Sequence, residues 1–336
     1  MNSTVNVSDL LPADVLLYSG SSPLAKAIQF FDGTDLNHAG LYLGGDHVGE
    51  AVASGLVRNE IHDSVHGADW VDVYRLKDRP PDMSQVLDKA NEYLDQGNRY
   101  GYEQLLLLAF LTLTRRIKAT PVLRTLIRHT LDAAAAVLAR QMSQNREPMI
   151  CSEFVYRAYD EALPEIDDPF SLRIRAFMQA FAAGPAAVAP GDVPRGQGVH
   201  PQSLLAFLST ESSSAWISAP AQPSAPEAPV SFAPGESPID ALIETYLDEV
   251  HSEPERAGQA MSEGASIEEL AASTQQFATT LYQASHPEAT TDQGAALSFG
   301  AKAPASLYLF QTAADFVTPA DLYRTQSLFR VGRLVT

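Results

Sequence analysis

The 336-residue sequence contains a single cysteine, Cys151, so no disulfide bond can form within the chain. It also contains no run of the ~20 apolar residues that a membrane-spanning helix needs. The nearest run covers residues 105–113 and is too short. The N-terminal residues lack a basic stretch followed by an apolar one, which is the pattern of a secretory signal. We therefore expect a cytoplasmic protein, with export by a dedicated secretion machine as the alternative.

Basic residues are scarce relative to acidic ones, with 23 lysines and arginines against 41 aspartates and glutamates. The formal net charge is −18, and residues 161–336 carry 21 of the acidic residues but only 8 of the basic ones. A chain this acidic is not expected to bind nucleic acid, because the phosphate backbone repels it. The acidic C-terminal half is instead a candidate docking region for a protein partner.

The single cysteine lies in the string MICSEFVYRAYDEA. Apolar residues recur after it at helical spacing, and Ser152 and Glu153 suit a first helical turn. This pattern predicts that Cys151 begins a buried helix, where the positive end of the helix dipole favours the thiolate, the nucleophilic form. The alternative is that Cys151 is simply a small buried apolar residue.

The N-terminal part of the chain alternates short apolar segments with turn residues, a pattern typical of an antiparallel sheet. The strands are predicted at residues 13–18, 37–43, 47–53, 56–61 and 70–76, with the last as an outer strand. A turn at Gly44-Gly45-Asp46 would pair Glu50 with Gly40, and Glu50 would then be a diagonal neighbour of His38 on one face.

A nucleophilic cysteine needs a base within hydrogen-bond reach and a third group that orients the base. His38 can act as the base, and a carboxylate from Glu50 can fix its tautomer and stabilise the imidazolium. If the helix of Cys151 packs against this sheet, the three residues form a Cys–His–Glu catalytic set.

Four strings carry a resemblance to a known family: LLPADVLLY, NHAGLYLG, HVGEAVASGLV and MICSEFVYRAYDEA. In order and character they resemble the circularly permuted papain-like cysteine hydrolases of the NlpC type, including the YiiX/YebB-like proteins and, more distantly, the lecithin:retinol acyltransferase group. The resemblance implies an α+β domain with a small antiparallel sheet packed on the nucleophile helix. It also implies that Cys151 is the nucleophile, His38 the base and Glu50 the orienting residue.

Such proteins cleave amide bonds in peptidoglycan stem peptides, or hydrolyse or transfer acyl groups on lipids. The resemblance therefore implies an amide or acyl substrate, an acyl-enzyme and no cofactor or metal. The backbone N–H of Cys151 is the expected oxyanion donor. Tyr18, Ser19 and Ser152 are further candidates for oxyanion or substrate contact.

The resemblance covers roughly residues 10–162, and the composition of the sequence predicts how the whole chain divides. Residues 1–165 form the hydrolase domain, with a helical insertion at 83–143. Residues 166–315 form an acidic, partly disordered helical region whose Pro/Ala/Ser-rich segment 209–238 is a linker. Residues 316–336 are expected to pack back on the first domain, with FRVGRLV as an edge strand.

The insertion carries a basic helical hairpin, because no acidic residue lies between Glu103 and Asp132 while five basic ones do. Residues 104–131 are thus a candidate contact with an anionic membrane surface. The alternative is a hairpin that packs its leucines on the domain and leaves its arginines in water.

Two further alternatives belong to other functional classes. Zinc binding is suggested by the cluster of His38, His47, Glu50, His62 and His66, but residues 62–66 resemble a loop and no HExxH pattern occurs. A catalytically inactive binding module of the same fold is the other alternative.

Overall fold

The computed structural model of the chain describes residues 3–52, 55–96, 103–116, 120–142, 149–163, 169–174, 199–200, 202–211, 238–251, 264–286 and 299–335. Within these ranges the fold is α+β, with one seven-stranded sheet and eleven α-helices. The strands are β1 (Thr4–Asn6), β2 (Val15–Ser19), β3 (His38–Gly44), β4 (His47–Val52), β5 (Gly55–Glu60), β6 (Trp70–Leu76) and β7 (Leu328–Val335). The helices are α1 (Pro23–Asp32), α2 (Ile61–Val65), α3 (Ser84–Asp95), α4 (Glu103–Thr114), α5 (Pro121–Met142), α6 (Cys151–Asp160), α7 (Leu204–Glu211), α8 (Pro238–His251), α9 (Ile267–Ser285), α10 (Phe299–Asp315) and α11 (Pro319–Arg324).

The strands follow the order β1-β7-β6-β2-β3-β4-β5 across the sheet. All neighbours are antiparallel except β1 and β7, which run parallel. The hairpin from β3 to β4 turns at Gly44, Gly45 and Asp46, which all have positive φ. That backbone conformation is cheap for glycine and tolerated by aspartate, so the turn lies where the sequence predicts it.

Two sequence predictions about the sheet are wrong in the same way. The strand β6 was expected at the outside of the sheet and β7 at its edge, but β6 lies between β2 and β7, and β1 lies outside β7. The polar residue that suggested an outer strand, Asp72, is covered by two arginines of β7. Its carboxylate accepts hydrogen bonds from Arg330 and Arg333 at 2.8–3.4 Å.

A third prediction is corrected in the segment after β5. Residues 62–66 were interpreted as a loop, whereas Ile61–Val65 forms the short helix α2. Five residues are too few for the 3.6-residue period to be recognised in a sequence. The helix holds its place because Ile61 is buried against one face of the sheet, with Val65 packed beside it.

The two faces of the sheet bury different residues. Leu16, Tyr42, Val48 and Val73 share one apolar cluster with Ile61 of α2. The other face carries Leu17, Ala39, Leu41 and Ala51, which pack with residues of α3, α6 and α11. The nucleophile-bearing helix predicted from the sequence therefore covers the second face.

A separate apolar cluster joins α1, α4 and α5 to the helices that follow the cysteine helix. The leucines of α4 are buried there, and α8 and α9 pack on α5. Arg115 was expected in water under the non-membrane alternative, but its guanidinium is largely buried and lies 3.2 Å from Asp32. Arg128 pairs with Glu269 of α9 at 2.7 Å. None of the helices in the described ranges has the length and hydropathy needed to cross a membrane.

Part of the C-terminal region predicted from the sequence lies outside the described residues. This applies to most of the 209–238 linker. Within the described ranges, the region predicted to be helical contains α7, α8, α9 and α10.

Candidate active site

The centre of the site is a buried histidine–carboxylate pair on neighbouring strands. Gly40 of β3 is paired with Glu50 of β4, as the turn position predicts. His38 Nε2 lies 2.8 Å from Glu50 Oε2. The imidazole is 8% exposed and the glutamate 2% exposed, so the two groups meet away from bulk water.

The glycine between these residues has a steric role. A Cβ at Gly40 would lie 2.8 Å from Val48 Cγ1 and 3.1 Å from the hydroxyl of Tyr18. Both distances are shorter than ordinary van der Waals contacts, so a larger residue would displace the groups packed around the pair. The sequence NHAGLYLG thus combines the histidine of the pair with the small residue that makes room beside it.

Tyr18 lies directly opposite His38 on β2, and the two ring centroids are 5.0 Å apart. Its hydroxyl is hydrogen-bonded to the hydroxyl of Ser64 on α2, with the oxygens 2.6 Å apart. Burial, and secondly the negative charge of Glu50, raise the pKa of Tyr18, while the charge of His38 acts in the opposite direction. Tyr18 is therefore a neutral hydroxyl beside the pair at any physiological pH.

Glu50 remains ionised although it is buried. Burial alone would raise its pKa, but the hydrogen bond and charge of His38, together with a hydrogen bond from Asn59, bring the pKa below its usual value. The Asn59 amide donates to Glu50 Oε1 at 2.9 Å, so each carboxylate oxygen has a hydrogen-bond donor. An ionised carboxylate in this position stabilises a protonated imidazole.

Cys151 is the first residue of α6 and is fully buried. The residue before it, Ile150, has an extended backbone, and the first bond within the helix runs from Phe154 N–H to Ile150 O at 2.9 Å. The backbone N–H groups of the first turn are therefore directed out of the helix start, where the helix dipole is positive.

Two contacts show how α6 lies along β3. The Phe154 ring reaches within 3.1 Å of the position that a Cβ on Gly49 would take. At the other end, the Tyr159 hydroxyl donates to the backbone oxygen of Ala13, whose N–H in turn donates to Tyr42 O. Helix and strand thus run in the same direction. The Phe154 contact lies at the level of Leu41, which is paired with Gly49, and the Tyr159 contact lies at Ala13 and Tyr42.

The two groups belong to different faces of the sheet. Alternation along β3 and β4 places His38 and Glu50 on the side of Tyr18 and Val48, whereas Cys151 packs with Ala39 on the other side. His38 is the first residue of its strand. The charge of Cys151 is also one of the influences on Tyr18, opposite His38.

The remaining candidates from the sequence occupy different positions. The hydroxyl of Ser152 is fully buried and donates to the backbone oxygen of Val317 at 2.8 Å, so it supports the C-terminal segment. Ser19 is buried and accepts a hydrogen bond from Gln29 at 3.3 Å. Of the three residues considered for oxyanion or substrate contact, Tyr18 alone lies against the histidine.

The histidines considered as zinc ligands are dispersed. The side chain of His62 is 84% exposed, and His47 Nδ1 lies 2.6 Å from the backbone oxygen of Gly45 in the turn. Within the described part of the chain, no three His, Cys, Asp or Glu side chains are grouped so that they could hold a metal ion.

The sequence analysis did not single out three polar residues: Asn59 and Ser64, which lie next to the pair and Tyr18, and Thr318, which follows the residue bonded to Ser152. Asn59 and Ser64 lie on β5 and α2, next to the histidine–glutamate pair. Thr318 bonds the buried Asp32 at 2.9 Å, one residue after the backbone oxygen that Ser152 contacts. A short polar residue on a predicted strand is a weak signal, because most such residues face water.

Comparison with known proteins adds one relative. The chain is 24% identical over 161 residues to the probable lipoprotein peptidase YaeF of Escherichia coli (strain K12). The match covers 47% of this chain and 58% of that protein, so the chain spans little more than half the length of this relative. No protein-family profile matches the chain.

Proposed function

We propose that this protein is a cysteine hydrolase with a permuted papain-like arrangement, which cleaves an amide bond with Cys151, His38 and Glu50. The observation that carries the proposal is the buried hydrogen bond between His38 and the ionised Glu50, in a sheet on which a helix beginning with the cysteine packs. The chain order, with the histidine strand before the cysteine helix, is that of the permuted members of the papain-like group.

The chemistry follows from these positions. His38 takes the thiol proton, and the resulting thiolate attacks the substrate carbonyl carbon. The negative charge that develops on the carbonyl oxygen is stabilised by backbone N–H groups at the start of α6. The C–N bond then breaks as His38 returns its proton to the leaving amine. Water, deprotonated by His38, attacks the thioester and releases the acid and the thiol.

Glu50 acts through the histidine. Its carboxylate accepts from Nε2, which leaves Nδ1 as the ring nitrogen for proton exchange with the thiol. Because Glu50 carries a negative charge in a buried site, it stabilises the imidazolium that forms when the thiol ionises.

For the substrate we propose a peptide or a related amide, such as a peptidoglycan stem peptide. The name of the YaeF relative, a probable lipoprotein peptidase, supports this class over an acyl lipid. An acyl hydrolase or acyltransferase acting at a membrane surface uses the same chemistry and is the alternative. The leucines of α4, within the stretch 104–131 that was predicted to contact a membrane, are buried inside the protein. An inactive binding module is the second alternative.

The first test is the rate of alkylation of Cys151 by iodoacetamide between pH 5 and 9, in wild type, His38→Ala and Glu50→Gln. We expect fast alkylation that persists at acid pH in wild type and is lost in both variants, as for a thiolate–imidazolium pair. Cys151→Ala supplies the background, because it removes the only thiol.

The same rate in all three proteins, rising only near the ordinary thiol pKa of about 8.5, would show an ordinary thiol and overturn the proposal.

Substrate class is tested separately, by incubating wild type and Cys151→Ala with stem tetrapeptides and with phospholipid vesicles. Release of a new amine by wild type supports the amidase, and release of fatty acid supports the lipid alternative.

A further inference from the structure

Asn59 occupies a position that the reaction scheme does not use. It lies on β5 and is paired with Val48, two residues before Glu50 on the neighbouring strand, so its side chain lies on the same face as the carboxylate. The amide Nδ2 donates to Glu50 Oε1 at 2.9 Å, while Oε2 meets His38. The two carboxylate oxygens are thus bonded from the two strands that flank β4, Oε2 by His38 of β3 and Oε1 by Asn59 of β5.

We propose that Asn59 is a positioning residue that keeps the Glu50 carboxylate charged and turned towards His38. Asn59 thereby sets the lowest pH at which the thiolate–imidazolium pair persists. This inference rests on the proposed function. Glu50 is 2% exposed, so water cannot take over the role of the lost donor without rearrangement.

The other groups around the carboxylate either contact its other oxygen or contribute less than Asn59 to its charged form. His38 contacts the other oxygen, and Tyr18 on β2 is a neutral hydroxyl bonded to Ser64. The Ser64 hydroxyl on α2 also favours the charged form of Glu50, after the contributions of His38 and Asn59. Of the two charged neighbours of Asn59 in the chain, Arg58 pairs with Asp95 at 2.6 Å and Glu60 is exposed.

The consequence of losing the Asn59 donor depends on pH. Without this hydrogen bond the carboxylate takes up a proton at a higher pH, by about one to two pH units for one bond to a buried charge. Once Glu50 is protonated it no longer stabilises the imidazolium, and the proton returns to the thiol. The thiolate should therefore disappear at acid pH and be retained at alkaline pH.

The experiment measures the pH dependence of iodoacetamide alkylation in wild type, Asn59→Leu and Asn59→Asp, with Glu50→Gln as the limiting case. Asn59→Leu removes the donor, and Asn59→Asp keeps the size while placing a second carboxylate beside Glu50. Asn91→Leu is the matched control, because Asn91 bonds Arg58 from a partly buried position of α3, away from Glu50. Thermal unfolding of each variant reports whether it is folded.

We expect both Asn59 variants to be alkylated at the wild-type rate near pH 8.5 and at nearly the Glu50→Gln rate near pH 5.5. The pH at which alkylation slows on acidification should rise by about one unit. Because Asn59→Asp keeps the side-chain volume, the test holds even where Asn59→Leu fails to fold. Asn91→Leu should follow wild type throughout.

Two results overturn the inference while leaving the proposed function intact. One is that folded Asn59 variants lose alkylation at the same acid pH as the wild-type protein. The other is a loss of rate that is equal at all pH values, which is the mark of a merely structural role. A wild-type protein with an ordinary thiol profile overturns both the proposed function and the role of Asn59.

Discussion

The hydroxyl of Ser152, the second residue of α6, donates to the backbone oxygen of Val317, 2.8 Å away and 165 residues later in the chain. Through this bond the C-terminal segment is attached to the helix start beside Cys151. The same segment continues into α11 and β7, so the last strand of the sheet and the helix that begins at Cys151 are held by one stretch of chain. Contacts far from the histidine strand in sequence therefore support the candidate site.

Replacing Ser152 with alanine removes a buried donor and leaves the Val317 oxygen without this partner. We expect the free energy of unfolding to fall by about 1–2 kcal/mol, the usual cost of such a bond. Urea unfolding measures the change, and Ser8→Ala, at an exposed position, is the control. An equal effect of the two substitutions would show that the Ser152 bond contributes nothing specific.

Asp321 should make stability depend on pH in an unusual direction. Burial, and next the charge of Asp32, raise its pKa to about 7, against about 3.9 in an unfolded chain. The folded state therefore binds the proton more tightly, and this group's contribution to stability is full below pH 4 and is lost as the pH rises to about 7.

The variant Asp321→Asn keeps the neutral form at every pH while preserving an oxygen that can accept from Thr318 N–H. Its stability relative to wild type should consequently increase between pH 5 and pH 8, as measured by urea unfolding at both values. Asp78→Asn, at an exposed position, controls for the change in net charge. A difference from wild type that is the same at both pH values would contradict this assignment.

Asp72 holds the two arginines of β7 against β6, and its side chain is about 10% exposed. Burial raises the pKa of Asp72, but hydrogen bonds from Arg330 and Arg333 outweigh it and lower the pKa overall. Asp72→Ala leaves two partly exposed guanidinium groups without this partner, and we expect a loss of about 1–3 kcal/mol.

The matched control for Asp72 is Asp95→Ala, which removes an exposed partner of Arg58. Surface pairs of that kind contribute about 0–1 kcal/mol, so the two variants should differ clearly in thermal unfolding. The contribution of Asp72 to the free energy of unfolding should also decrease in acid. The pKa of Asp72 is lowered in the folded state, and a group of this kind loses its contribution as the pH falls through that pKa. Similar melting temperatures for the two variants would argue against a structural role for the arginine pair.

Gly40→Ala tests the steric requirement next to the histidine. The added methyl group would lie 2.8 Å from Val48 Cγ1 and 3.1 Å from the Tyr18 hydroxyl, so we expect about 1–3 kcal/mol of destabilisation. Displacement of Tyr18 should also slow Cys151 alkylation at pH 6. Gly20→Ala serves for comparison, because its methyl group would meet only ordinary contacts, beginning at 3.4 Å. Wild-type behaviour of Gly40→Ala would mean that β3 and β4 can separate without cost.

Local patterns in the sequence determined the elements nearest the histidine. The Gly44-Gly45-Asp46 turn needs positive φ at three successive residues, and this requirement sets the register that pairs Gly40 with Glu50. Because side chains alternate with a period of two along a strand, the register alone brings Glu50 beside His38. The helix after Cys151 was equally predictable, since its apolar residues recur at helical spacing.

Only the tertiary structure decided what those elements pack against. Asp72 resembles a solvent-facing residue until Arg330 and Arg333, more than 250 residues later, cover it. Ser152, Asp32 and Asp321 also acquire their roles from contacts between segments far apart in the chain. Hydrogen bonds and charge effects of this kind depend on distances of a few ångströms between chain segments. Periodicity and turn chemistry report only neighbours along the chain, so these contacts leave no signal in the sequence pattern.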